Sequence, residues 1–202
     1  PALDRLGVTA GRPLADTRVF VEELRAQKRI GDLPPIVLAA MRDRMCALSA
    51  EIGDGMVFAN AARSAFAGTL ERCPDPDHDD FFIGGMIPTC ISDDREAAAA
   101  VNRRTLTGYV ALPNYRNYWK DSGYQEEMEA IEAALAAGDR DAVPGLMTDA
   151  WLSDCTLYGS ATEVRDGLEA WYEAGLTTPI LVPSSASGGQ MKAFGELFDL
   201  FA

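Results

Sequence analysis

The chain has 202 residues, 48% of them hydrophobic and 24% charged, with a formal net charge of −13. This composition supports one domain with a hydrophobic core and excludes a disordered chain. The acidic balance and the lack of any Lys/Arg cluster exclude a nucleic-acid binder, and no apolar run approaches the ~20 residues of a membrane helix.

The opening residues, Pro1-Ala-Leu-Asp-Arg-Leu6, show no basic n-region or apolar h-region, so no secretory signal is read there. Pro13 suits the first turn of a helix running to about Lys28, with Leu14, Val21 and Leu24 on one face. Ile36-Val-Leu-Ala-Ala40 is an apolar run without alternation, as expected for a parallel strand covered on both faces. A helix follows, with Met45, Leu48 and Ile52 on one face and Gly53 as its stop.

The second strand is Met56-Val-Phe-Ala59, followed by a helix from Ala61 to about Leu70. Cys73-Pro-Asp-Pro-Asp-His-Asp-Asp80 is a polar, proline-broken loop. The third strand is Phe81-Phe-Ile-Gly-Gly-Met-Ile87, after which Ser92 is placed to cap a helix whose first turn holds Asp93 and Asp94.

From about Leu112 to Ser160 the chain makes a long excursion, which contains an aromatic patch and a helix bearing Met128, Ile131 and Leu135. Ser160-Ala-Thr-Glu163 is a capping box opening a helix with Val164, Leu168, Trp171 and Tyr172 on its core side and Gly175 at its end. The last strand is Pro179-Ile-Leu-Val182, and a final helix carries Met191, Phe194, Leu197 and Phe201 at helical spacing.

Four buried strands alternating with helices, after one leading helix, imply a parallel α/β architecture in a single domain over residues 1–202. A small doubly wound sheet and part of a (β/α)8 barrel both fit. Cys46, Cys73, Cys90 and Cys155 form no C-x-x-C pair and have only His78 to join them, so the expectation is no metal site. They read as free thiols in a reducing cytoplasm.

Several stretches together resemble the luciferase-like monooxygenase family, whose members use flavin or the deazaflavin coenzyme F420. Pro35-Ile-Val-Leu-Ala-Ala40 with its helix and Gly53-Asp-Gly55 is similar to the family's strand, Ala-Ala-x-Gly-Pro, helix, Ala-Asp-Gly pattern, with Arg42-Asp43 standing where the family has Gly-Pro. Leu157-Tyr-Gly-Ser-Ala-Thr-Glu-Val-Arg-Asp-Gly167 resembles the family's Gly-x-x-x-Glu-Val helix start. Thr178-Pro-Ile-Leu-Val-Pro-Ser-Ser185 resembles its eighth strand and loop, and Ile91-Ser-Asp-Asp-Arg-Glu-Ala-Ala98 also fits.

The resemblance implies a TIM barrel, of which this chain carries about four βα units, strands five to eight, plus a leading helix. It implies F420 or FMN at the strand C-termini, and hydride transfer with a small organic substrate or oxygen activation; the two open sheet edges of a half-barrel predict a homo-oligomer. A half-barrel acting as an assembly or binding module without turnover is the rival reading, and an unrelated small α/β domain is a third.

Ala39, Ala40, Met41 and Arg42 join a strand end to a helix N-terminus, where free N–H groups and the dipole favour an anion. Arg42 and Arg44 in a first helical turn would oppose that dipole unless an anion sat there. A solvated helix start compensated by Asp43 is the plainer account. The resemblance assigns this segment to the cofactor phosphate.

Asn60 and Arg63 follow the second strand and suit either a ligand or a helix cap. Thr89 after the third strand, and Ser184 and Ser185 after the fourth, share that rim, where parallel barrels gather their sites. Asn114, Tyr115, Arg116, Tyr118 and Trp119 read as a lid or substrate wall, or equally as helix packing or a dimer contact. His78 has the chemistry of a general base but the setting of a solvated loop residue. No nucleophile set is evident, and none is needed where a cofactor carries the reaction. No catalytic residue is therefore named.

Overall fold

A computed structural model describes residues 11–29, 31–76 and 80–202; His78 lies outside them. Helix α1, Pro13–Arg25, begins with proline at its first turn and ends three residues before the expected Lys28. Strand β1 is Val37–Ala39, helix α2 Asp43–Ile52, strand β2 Gly55–Ala59 and helix α3 Arg63–Arg72. Strand β3 runs over ten residues, Phe82–Ile91.

The excursion is helical: α4 Arg95–Val110, α5 Pro113–Asp121, α6 Gln125–Ala136, a 3-10 turn Val143–Leu146 and α7 Asp149–Cys155. Then come β4 Leu157–Gly159, α8 Ala161–Glu173, β5 Thr178–Ser184 and α9 Gln190–Leu200.

All strand pairs are parallel. β1 pairs only with β2, and β2 with the first half of β3 through Gly55↔Phe82 to Ala59↔Met86. β5 lies along the other side of β3, from Gly84↔Thr178 to Cys90↔Ser184. β4 pairs with Thr89–Ile91 and continues the side that β2 leaves. The four expected strands are present. The fifth, β4, lies in the stretch read only as the lead-in to the capping box.

The two faces of the sheet differ. Leu38 packs with Val21, Leu48 and Ile52 from α1 and α2. Met56, Phe58 and Ile87 are buried in the main core, where Phe58 meets Phe66 edge-on at 4.8 Å and Phe66 meets Trp171 at 5.6 Å. By alternation and register, Val37, Ala39, Val57, Met86, Ile180 and Val182 share the opposite face.

Val37 and Ala39 are exposed on that second face and the other four half-buried. This corrects the expectation that β1 is covered on both sides. An apolar run shows that a strand can be buried on two faces, whereas it does not say what lies against the second.

Local signals fared unevenly. Ser160 and Glu163 form the capping box, each accepting from the other's backbone N–H. The α4 cap is Asp94, whose carboxylate accepts from Ala97 N–H, while Ser92 accepts from Asp94 N–H one turn earlier. Trp171 is core, but Tyr172 is 43% exposed. In α9 the buried residues are Ala193 and Leu200, whereas Met191, Phe194 and Phe198 are exposed, as is Phe201 just past the helix. Leu197 and Leu200 face this core, while Met191, Phe194 and Phe198 are turned away from it. The four cysteines are free thiols.

Candidate functional site

Parallel strands place all their C-terminal ends on one rim, so Ala39, Ala59, Ile91, Gly159 and Ser184 mark the side where loops converge. At that rim three residues separate β1 from α2. Ala40 is buried and its N–H is spent on Val57 O at 2.9 Å. Arg42 is the extended N-cap of α2 rather than a first-turn residue, and its side chain makes no cap bond. Its carbonyl accepts from both Met45 and Cys46 N–H, at 2.9 and 3.0 Å. The Arg44 N–H has no partner among the described residues, as the first groups of an uncapped helix do not, while the Asp43 N–H faces its own carboxylate.

A cleft of about 700 Å³ opens beside this helix start, between α1, α2, α3 and α5. Met41, Arg42, Arg44, Arg72, Tyr118 and Asp121 are on its walls. Two of the three arginines are neutralised. Arg42 is ion-paired with Asp121 at the end of α5. Arg72 grips Asp43 through Nε at 2.8 Å and Nη2 at 3.2 Å, and the guanidinium holds the Asp43 carboxyl below the usual carboxylate range. Arg44 has no counter-ion among the described residues.

Only Arg44 therefore opposes the dipole unpaired, because Arg42 sits outside the first turn and has its own carboxylate. A second cleft, of about 670 Å³, lies around Ile36, Val37, Asp54 and Phe82, at the strands' N-terminal ends and away from the rim.

Asn60 directly follows β2. It is 4% exposed and has a φ of 57°. Its N–H donates to Met86 O at 3.1 Å, and its carbonyl accepts from Trp119 Nε1 at 3.1 Å. Two residues on, Ala62 N–H donates to the Tyr118 phenol oxygen at 3.0 Å, and burial pushes that phenol up to about 12. Tyr118 and Trp119 are thus buried fasteners of the β2–α3 turn, and only Tyr118 reaches the cleft wall. Tyr115 is half-buried between Tyr109 and Trp119, Asn114 is exposed at the start of α5, and Arg116 is tied to Glu132 at 3.0 Å.

Thr89 lies inside β3 rather than after it. It is 1% exposed and its hydroxyl donates to Ile87 O at 3.0 Å. Ser184 is the half-buried last residue of β5. Ser185 donates to Glu196 Oε1 at 3.1 Å. Burial, with Glu196 nearby, pushes the neighbouring Cys90 thiol up to about 11, which removes it as a nucleophile near neutral pH. Arg63 lies 3.9 Å from Asp154, a carboxylate that also accepts from Ser64 N–H at 3.0 Å, Ser64 Oγ at 2.6 Å and Tyr124 Oη at 2.8 Å.

The structure therefore gathers Met41, Arg42 and Tyr118 around one cleft and leaves Asn60, Thr89, Asn114, Tyr115 and Ser184 off its walls. Sequence reasoning missed Asp121, Arg72 and Asp154. Their partners lie 79, 29 and 90 residues away, and no local spacing signals such a pairing.

Comparison with known proteins places these features in a family. The sequence profile of the luciferase-like monooxygenases matches residues 7–178. A Mycobacterium tuberculosis protein, named provisionally as a coenzyme F420-dependent oxidoreductase, is 24% identical over 166 residues. That match covers 75% of this chain and 48% of the relative, so the chain spans about half the length of that curated relative.

Among solved structures, the coenzyme F420-dependent tetrahydromethanopterin reductase of Methanopyrus kandleri superposes with a TM-score of 0.61 at 19% identity, over 75% of this chain and 46% of that one. An F420-dependent secondary alcohol dehydrogenase, solved with an F420–acetone adduct, gives 0.56 at 14% identity, over 84% and 48%. At such identities the superpositions speak to the fold alone. No helix among the described residues is long and apolar enough to cross a membrane.

Proposed function

The chain belongs to the luciferase-like monooxygenase family, and from that premise we propose that it binds coenzyme F420 at the C-terminal rim of its sheet and serves hydride transfer at a carbon centre of a small organic substrate. The observation that carries this reading is the uncapped start of α2. The free N–H of Arg44, with the unpaired Arg44 guanidinium, forms a donor set suited to a phosphate.

The small side chains of Ala39 and Ala40 let a ligand approach the backbone there. The partly covered face bearing Ala39, Val57, Met86 and Ile180 offers an apolar wall suited to a flat aromatic ring. The residues present thus fit F420, and they would fit FMN on the same grounds. The three similar proteins named above all carry F420 in their names, which favours the deazaflavin. When bound, that group accepts or supplies a hydride, and the chain's part is to hold, orient and exclude water. Met41 and Tyr118 on the cleft wall and Ser184 at the rim are the residues we assign to that enclosure.

Fluorescence titration of the intact polypeptide tests the reading. F420 should bind, and Arg44→Glu should weaken it about tenfold or more, because it replaces a charge-assisted contact with repulsion. A polypeptide that binds neither F420 nor FMN would rule the proposal out.

A second reading has its own observation. Among the described residues β1 and β5 each leave one edge unpaired, the sheet face bearing Val37 and Ala39 is only partly covered, and Met191 and Phe198 are 80% and 71% exposed. Such surfaces suit a half-barrel whose role is assembly. Self-association in sedimentation velocity, without cofactor binding, is the expected result on this account. A monodisperse monomer counts against it.

A further inference from the structure

Two features of Asn60 are left unused by the phosphate site. It is the one non-glycine among the described residues with a positive φ, a conformation that side chains seldom adopt unless the surroundings enforce it. Its Nδ2 is buried and has no hydrogen-bond partner. The usual structural use of Asn at this point, capping the next helix, is absent: the α3 N-cap is Ala62, and the Ser64 N–H is taken by Asp154.

The turn is nevertheless held in place. Asn60 N–H is fixed on Met86 O, Asn60 O on the Trp119 indole and Ala62 N–H on Tyr118. A strained backbone fastened at three points, presenting one orphan donor at a strand C-terminus, is built to meet an acceptor.

We propose that Asn60 binds the ring of the cofactor, its carboxamide N–H donating to a ring carbonyl oxygen; this rests on the cofactor reading above. The acceptor is an uncharged carbonyl rather than the phosphate. A carboxamide that is 4% exposed brings no compensating charge, and a phosphate placed there would lose its hydration without one. The phosphate has its own donors at α2, and the neighbouring inner-face residues Ala59 and Met86 are those a flat ring would meet.

Two variants and two ligands test the assignment. Glycine adopts the Asn60 backbone without strain and carries no orphan donor, so Asn60→Gly should melt at or above the wild-type temperature without ligand. It should also bind F420 about tenfold more weakly, the share of one hydrogen bond. Asn60→Asp keeps size and tolerance of positive φ but replaces the donor with an acceptor, and should lose affinity at least as much. A phosphate-free deazaflavin should show the same loss in both variants.

A lower melting temperature for Asn60→Gly with unchanged affinity would show a purely structural residue and overturn the assignment. A loss seen with F420 but not with the phosphate-free ring would place the contact on the phosphate and overturn it too. Wild-type protein that binds neither ligand removes the cofactor reading itself, and the role of Asn60 with it.

Discussion

Replacing Asp154 with alanine should destabilise the protein by about 3–5 kcal/mol and lower its melting temperature by roughly 10 °C. Asp154 sits in α7 with its side chain 7% exposed. It supplies the cap that α3 lacks, accepting the second helical N–H from Ser64, and also takes the Ser64 and Tyr124 hydroxyls. Its removal takes the acceptor from three donors at once, and each unmade bond costs about 1–3 kcal/mol. Asp154→Asn, which keeps the volume and one acceptor oxygen, should recover part of the loss. Thermal and urea denaturation give the answer, and a change below about 1 kcal/mol would mean α3 starts without this cap.

Trp119→Ala should cost a similar 3–5 kcal/mol, as truncation of a fully buried aromatic does. The indole is 0% exposed and packs edge-on against Trp151 at 4.9 Å. Trp119→Phe separates packing from hydrogen bonding: most of the ring volume stays, but the buried Asn60 carbonyl loses its donor. A cost of about 1–3 kcal/mol is expected for that variant. Equal stability of Trp119→Phe and wild type in urea titrations would show that the indole N–H contributes nothing to the turn.

These two residues also show where sequence reasoning reached its limit. Ser160 and Glu163 were legible because a capping box is closed by residues three apart. The strand cores at Ile36–Ala40 and Met56–Ala59 were legible because apolar runs bounded by turn residues have few other uses. Leu157–Gly159 was not, since a three-residue strand exists only because the far end of β3 is there to pair with it. Asp154 and Trp119 act across 90 and 59 residues, on partners that only the folded chain brings near.

Within the candidate site, the strand-to-helix start at Ala39–Arg42 was readable from order alone, whereas the pairing of Arg42 with Asp121 was not. The aromatic patch was visible as a cluster but not as an inward-turned one, because helical spacing does not say which side meets the core. Asn60 gave one usable hint: asparagine is the residue after glycine that best tolerates a left-handed backbone, and it stands where a strand must turn.

The pairing of β3 with β5 has a consequence for how the chain is made. Thr177 bonds to Ile83 across 94 residues, and β5 covers the side of β3 opposite β2. At ribosomal rates of about 5–20 residues per second, β3 emerges roughly 5–20 s before the strand that covers that side. Helices α4 to α7 are synthesised in that interval and can pack meanwhile, but they offer no strand to the bare edge. The nascent chain therefore spends seconds with its longest strand half-paired, and in that interval, before the finished fold exists, it is most in need of protection from other chains.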